Sequence, residues 1–264
     1  MNKDLKLGIV GGVGWLGTCI AEAIVKKHVV APKNLGASFR SSKPAIWPGQ
    51  LLTANNQELA NWADVIIMSV RPADWPAVQV NAQGKLVISV MVGATLAQLG
   101  RHHQTERVIR TMPNVGAMVG HSYTPWVGSN SITAEDKAIV KAIFNACGVA
   151  DQYDDESAID YMTGLTGSGP AFPALFAEAM MKDAMARGFA ADKAKRAVTE
   201  LLIATGRLLE QDPKHPSETV AEFLNYKGTT AAAITAMRAA GLERVVSEGL
   251  AAALQKSVNM ASKS

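Results

Sequence analysis

Cysteine is nearly missing from this chain: Cys19 and Cys147 are the only two in 264 residues. They lie in no CxxC spacing and beside no His/Cys cluster, which sets aside a disulfide framework and a cysteine metal site and favours a reducing compartment. The same two residues fit small buried core positions. The five histidines, His28, His102, His103, His121 and His215, have no paired spacing with carboxylates, so they read as surface or cap positions and no metal is expected. No apolar run approaches the roughly 18 residues of a membrane span. The start, Met1-Asn2-Lys3-Asp4, leads straight into an apolar stretch without a secretory-signal pattern, so a cytoplasmic protein away from the membrane is expected. Charge of either sign is sparse. A net +3 with no basic block longer than pairs such as Lys26-Lys27 argues against nucleic acid and suits an anionic small molecule better. The most telling absence is local: no Asp or Glu occurs from Ala23 through Gln57.

What is present divides the chain in two. Short apolar runs at residues 5–10, 35–39, 65–70, 86–90 and 108–112, with another strand permitted at 122–127, are separated by helical or irregular segments. Continuous apolar strands are those buried on both faces, so the pattern predicts an α/β, doubly wound Rossmann domain with a mostly parallel sheet. Thr133, followed by Glu135 and Asp136, reads as the N-cap of a helix running to about residue 147. Beyond residue 157 strand signals stop. Helical patterns follow at 172–187, 192–210, 217–223, 229–237 and 241–260, so residues 1–157 and 158–264 are expected to form a nucleotide-binding domain and an all-α domain.

Between the first strand and first helix lies Gly12-Val13-Gly14-Trp15-Leu16-Gly17, a GxGxxG element in the context such a motif requires. Glycine there lets the backbone turn tightly and approach a pyrophosphate, which the helix N-terminus then binds through free N–H groups. The additional Gly11 leaves open a register shifted by one. At the end of the second strand, where an acid would hold the ribose 2′-hydroxyl of NAD, the chain has Ser38-Phe39-Arg40-Ser41-Ser42-Lys43. Guanidinium, hydroxyls and ammonium suit a 2′-phosphate, so NADP(H) is preferred over NAD(H). A second glycine-rich segment runs from Thr163 through Thr166-Gly167-Ser168-Gly169-Pro170 to Phe172. It reads as another anion-binding helix entrance, or as a turn that lets helices pack closely.

Val87-Ile88-Ser89-Val90, Arg110-Thr111-Met112-Pro113-Asn114, the Thr163 to Phe172 segment and Gly228-Thr229-Thr230 occur in that order. In this the chain resembles the pyrroline-5-carboxylate reductases over nearly its full length. The resemblance implies a homodimer or larger homo-oligomer with interlocked helical domains, and reduction of a cyclic imine carboxylate, foremost 1-pyrroline-5-carboxylate to L-proline, at the subunit interface. It also implies residue roles. Val70, Arg71 and Pro72 border the cofactor, with Gly12, Val13, Gly14, Trp15, Leu16, Arg40, Ser41 and Ser42. Asn114 lies near the nicotinamide ribose. Thr166 and Thr230 are the catalytic hydroxyls, and Gly167, Ser168, Gly169 and Thr229 hold the substrate. Glu178 matches an acidic position common in the family.

The chain departs from that pattern in two places. Asn114 is followed by Val115-Gly116 where the family has Thr-Pro, and Asn225-Tyr226-Lys227-Gly228 replaces Ser-Pro-Gly-Gly. Lys227 is therefore a candidate partner for a substrate carboxylate, for a larger or more acidic imine. β-Hydroxyacid dehydrogenases share the two-domain plan, but Pro173 and Ala177 occupy the places of their catalytic Lys and Asn. A non-catalytic NADP-binding sensor is the remaining rival.

Overall fold

The computed structural model describes residues 4–40 and 44–261. Two compact units emerge, one running to Ser168 and rejoined from Ala252 onward, the other spanning Gly169–Ala251.

The first unit is built on an eight-stranded sheet: β1 (Leu7–Val10), β2 (Leu35–Ser38), β3 (Leu51–Thr53), β4 (Val65–Met68), β5 (Leu86–Ser89), β6 (Val108–Thr111), β7 (Ser122–Gly128) and β8 (Gly148–Gln152). Their order is β3-β2-β1-β4-β5-β6-β7-β8, and only the β6/β7 pairing is antiparallel. Interleaved are α1 (Trp15–Lys26), α2 (Asn56–Trp62), α3 (Leu96–His103), α4 (Ala134–Asn145) and α5 (Ser157–Met162). Alternate strand residues feed two cores. Ile67, Ile88 and Ile109 join Ile20 and Ile24 of α1 and Phe144 of α4 on one face. Ile66, Met68, Val87 and Val108 join Leu59 of α2 and Leu99 of α3 on the other. Covered on both faces, the sheet needs the continuous apolar runs seen in the sequence.

Two strands were not anticipated. β3 has three residues, and β8 is a polar edge strand with Val149 exposed, so neither carries a buried apolar run. β2 ends at Ser38 rather than at residue 39, and β4 at Met68 rather than 70, which places Arg40 and Ser69 to Pro72 in loops beyond the strand ends. Thr133 caps α4 as expected: its hydroxyl accepts from Asp136 N while Asp136 Oδ2 accepts from Thr133 N.

The second unit holds α6 (Ala171–Ala186), α7 (Ala191–Gln211), α8 (Pro216–Asn225), α9 (Thr229–Ala239) and the start of α10 (Leu242–Ala261). Its helices pack in pairs, α6 with α7 and α8 with α9. Among its described residues only Ala194 and Val198 are buried, whereas Leu175, Phe189, Leu208 and Val245 are all more than half exposed. A helical set with so little core of its own needs a further apolar surface against it.

His103 corrects the surface-or-cap expectation for the histidines. It is fully buried; its Nε2 accepts from Trp75 Nε1 at 2.9 Å, and its Nδ1–H therefore points to Val80 O at 3.1 Å. Desolvation pushes its pKa down to about 4. His215 does cap α8, accepting from Ser217 N. Of the two cysteines, Cys147 is buried, with its thiol pushed up to about 12 by desolvation, and Cys19 is half-buried.

Candidate dinucleotide cleft and substrate turn

A cleft of about 760 Å³ opens beyond the carboxyl ends of β1, β2 and β4. Gly11, at φ 73°, makes the turn after β1, and its N–H donates to the Ser38 hydroxyl at the end of β2. The next glycines do different work. A Cβ on Gly12 would stand 2.7 Å from Ala37 Cβ and 2.8 Å from Ile9 O, so Gly12 is closed in beneath the loop. A Cβ on Gly14 would meet only Gly11 O, a single tight contact at 3.2 Å. Gly14 is also the N-cap of α1, with no side-chain cap and no acid in the first turn. Bare amide N–H groups and the positive end of a 12-residue helix thus face the cleft, the arrangement that binds a pyrophosphate.

Val13, Gly14, Trp15, Arg40, Val70 and Arg71 all line this cleft. Gly12, Leu16, Pro72 and Asn114 do not: Leu16 turns inward against the core, as its position on the buried side of α1 requires. Ser41 and Ser42 lie outside the described residues. The hydroxyl of Ser38, in the strand-end segment read for phosphate, fixes the first glycine turn instead, and sequence reasoning missed Asp74, which accepts from Arg40 Nη1 at 3.0 Å and from Arg71 Nε at 2.8 Å. Asp74 stands three residues after Arg71, a spacing that signalled one of these pairs; nothing local pointed to the other. The residues present fit a phosphorylated dinucleotide, because Gly14 at the uncapped α1 end and Arg40 line one cleft.

Asn114 is buried at the end of the β6 loop. Its side chain accepts from Gly116 N at 2.8 Å, and its own N–H donates to the Ser122 hydroxyl. Two residues earlier, Met112 packs on the second glycine segment: a Cβ on Gly167 would lie 3.3 Å from Met112 Cγ. That segment is not a simple helix entrance. α5 continues into a π-helical turn, Thr163–Gly167, in which the Thr163 hydroxyl donates to Ile159 O and the Thr166 hydroxyl to Met162 O. The wide turn lets Ser168 N return to Thr163 O before α6 begins. π-Turns of this kind are frequent at functional sites.

Beneath this turn a buried ion cluster sets the register between β6 and α5. Arg110 on β6 is fully buried and donates to Glu156 at 3.2 Å and to Asp160 at 2.7 Å. Glu156 Oε1 also accepts from Leu96 N in the first turn of α3, and Asp160 Oδ1 from the Ser257 hydroxyl of α10. Sequence reasoning had used Arg110 only as part of a motif.

In the second unit, Gly228 is the N-cap of α9, again with no side-chain cap, and exposed Thr229 and Thr230 form the first turn. Tyr226 is 85% exposed and its ring edge covers Gly228, while Lys227 adopts φ 54°, a left-handed conformation unusual for a lysine. Glu178 is exposed on α6 and paired with Lys182. Among the described residues no three His, Cys, Asp or Glu gather as a metal site, and no helix is long and apolar enough to cross a membrane.

Sheet order, glycine loop and cleft define a Rossmann-type dinucleotide-binding domain, joined in one chain to a helical domain. Comparison with known proteins narrows this. Residues 6–93 match the family described as NADP oxidoreductase, coenzyme F420-dependent, and residues 156–260 match that described as pyrroline-5-carboxylate reductase dimerisation. A pyrroline-5-carboxylate reductase of Synechocystis is 27% identical over 98% of this chain and 100% of its own length. That of Thermus thermophilus is 29% identical over 96% and 97%. In fold, the chain is similar to a pyrroline-5-carboxylate reductase from Coxiella burnetii, with TM-score 0.88 and 22% identity over 97% of this chain and 98% of that one. It is also similar to a Plasmodium falciparum pyrroline carboxylate reductase with NADP bound, with TM-score 0.86 and 24% identity over 98% and 99%. The helical region thus matches the pyrroline-5-carboxylate reductase dimerisation family, and relatives named pyrroline-5-carboxylate reductase align with nearly the full length of the chain.

Proposed function

We propose that this chain is an NADPH-dependent imine reductase converting 1-pyrroline-5-carboxylate to L-proline, with residues 1–157 holding the cofactor and residues 158–264 serving substrate binding and dimerisation. The observation that carries the proposal is the cleft of the first unit, where Gly14 leaves the α1 amino end bare and Arg40 also lines the cleft. The family relationship supplies the reaction class, and the coreless second unit supports a homodimer.

The bound cofactor supplies a hydride. A protonated imine is already electrophilic, so the protein has to orient it rather than provide a strong acid. Thr230, in the first turn of α9, hydrogen-bonds the imine nitrogen. The Gly167-Ser168-Gly169 turn takes the carboxylate, through Gly169 rather than through Ser168 N, which donates to Thr163 O, with Thr229 beside Thr230 and Lys227 as a further cation. Thr166 donates to Met162 O, so its oxygen acts toward substrate as an acceptor. Asn114 holds its loop at the nicotinamide side through Gly116 and Ser122. We place the enzyme in the cytoplasm, where its cofactor and free thiols are kept reduced.

Loss of NADPH absorbance in the presence of pyrroline carboxylates tests this reading. Oxidation that depends on 1-pyrroline-5-carboxylate is expected. Tight NADPH binding with no turnover on any cyclic imine would instead make the chain a sensor.

A further inference from the structure

Arg40 and Arg71 share one carboxylate. Arg40 follows β2, whereas Arg71 and Asp74 belong to the loop after β4, so Asp74 ties together two rims of the cleft. Each carboxylate oxygen serves a different guanidinium: Oδ2 accepts from Arg71 Nε at 2.8 Å and Oδ1 from Arg40 Nη1 at 3.0 Å. These bonds, from Arg71 first and Arg40 second, hold the Asp74 carboxyl below its ordinary range, so it is charged at neutral pH. Asp74 lines the same cleft as Gly14 and Arg40. The stretch from Ala23 to Gln57 lacks the acid that in NAD-binding Rossmann domains accepts the ribose hydroxyl from the end of the second strand. Asp74 brings a carboxylate into that cleft from a different loop.

We propose that Asp74 is a cofactor-specificity residue, an internal counter-ion that competes with the 2′-phosphate of NADPH for Arg40 and offers an acceptor to the 2′-hydroxyl of NADH. This rests on the NADPH reading above. A dianionic phosphate has to draw Arg40 away from Asp74 and then stand near a carboxylate, which repels it. A hydroxyl leaves the ion pair intact and donates to Asp74. The residue therefore narrows the preference for NADPH rather than creating it.

Equilibrium titration of the full-length protein with NADPH and with NADH, followed by nicotinamide fluorescence, tests the assignment in wild type, Asp74→Asn, Arg40→Ala and the double variant. Asp74→Asn is expected to tighten NADPH by about two- to fivefold, the range of an exposed ion pair, and to weaken NADH by a similar factor. The NADPH gain should shrink in the Arg40→Ala background, where only the direct repulsion of the phosphate by Asp74 is left to relieve. Unchanged or weaker NADPH binding by Asp74→Asn, an equal change for both cofactors, or an undiminished gain in the double variant would overturn the assignment while the NADPH reading stands. Wild-type protein that binds neither dinucleotide would overturn both.

Discussion

Replacing Arg110 with methionine removes the centre of the cluster that joins β6, α3, α5 and α10. Arg110 is fully buried and bonded to Glu156 and Asp160, which are themselves one-third exposed or less. Those carboxylates keep one other partner each, Leu96 N and the Ser257 hydroxyl, and neither partner carries a balancing charge. Breaking one side of a buried ion pair costs about 3–5 kcal/mol. The Arg110 Nε is buried without a partner among the described residues, which offsets part of the native gain and places the loss at the lower end of that range. A domain of this size loses about 2–4 °C per kcal/mol, so a melting temperature lowered by about 10 °C is expected in calorimetry. The triple variant Arg110→Met, Glu156→Gln, Asp160→Asn removes the stranded charges and should recover at least half of the drop, since a neutral filling is often no worse than the ion pair. A fall of under about 3 °C for Arg110→Met, or a triple variant no more stable than the single one, would refute the reasoning.

Three further outcomes are expected. Because His103 titrates near 4 in the fold and nearer 6.5 when unfolded, the unfolded chain binds the extra proton between those values. Its share of stability is complete above pH 6.5 and is lost as pH falls toward 4, by about 3 kcal/mol at most; urea midpoints across this window should fall with pH in wild type and fall less in His103→Gln. The two fingerprint glycines should separate: Gly12→Ala drives a methyl into Ala37 and Ile9 O and lowers the melting temperature, whereas Gly14→Ala, with one contact at 3.2 Å to Gly11 O, lowers it less and loses NADPH affinity by titration. At the α9 loop, Lys227→Gly removes both the cation and the left-handed strain, about 1 kcal/mol, whereas Lys227→Ala removes only the cation. Both variants should raise KM for the imine about fivefold, as for loss of an exposed ion pair worth about 1 kcal/mol, with Lys227→Gly the more stable in urea; unchanged KM in both removes Lys227 from the substrate site.

The glycine fingerprint was legible because each step needs a residue without a Cβ, and the buried parallel strands because two covered faces leave no polar alternation. Thr133 announced its helix through Asp136 three residues on. What the chain concealed depends on separation in sequence. Arg110 meets carboxylates 46 and 50 positions away, and Arg40 meets Asp74 34 positions away, so no local pattern marked either pair. His103 read as a surface residue because its burial comes from Trp75, 28 positions earlier. Glycine and hydroxyl composition at Thr163–Gly167 fits a helix entrance, a packing turn and a π-turn alike, so the sequence does not mark the π-turn. β3 and β8 escaped because one is very short and the other is a polar edge. The exposed apolar face of the second unit could not be read from its helical patterns, because amphipathic spacing alone does not say whether the covering surface lies within the chain or on another copy.

Hydride transfer from NADPH to a cyclic imine is open to a direct test by isotope transfer. The full-length protein is incubated with 1-pyrroline-5-carboxylate and NADPH carrying deuterium at the transferable nicotinamide C4 position, and the product is analysed by mass spectrometry. The account expects L-proline with one deuterium at C5, formed in step with NADPH oxidation and strongly reduced in Thr230→Ala. Cofactor that stays unoxidised, or proline without the label, would contradict it.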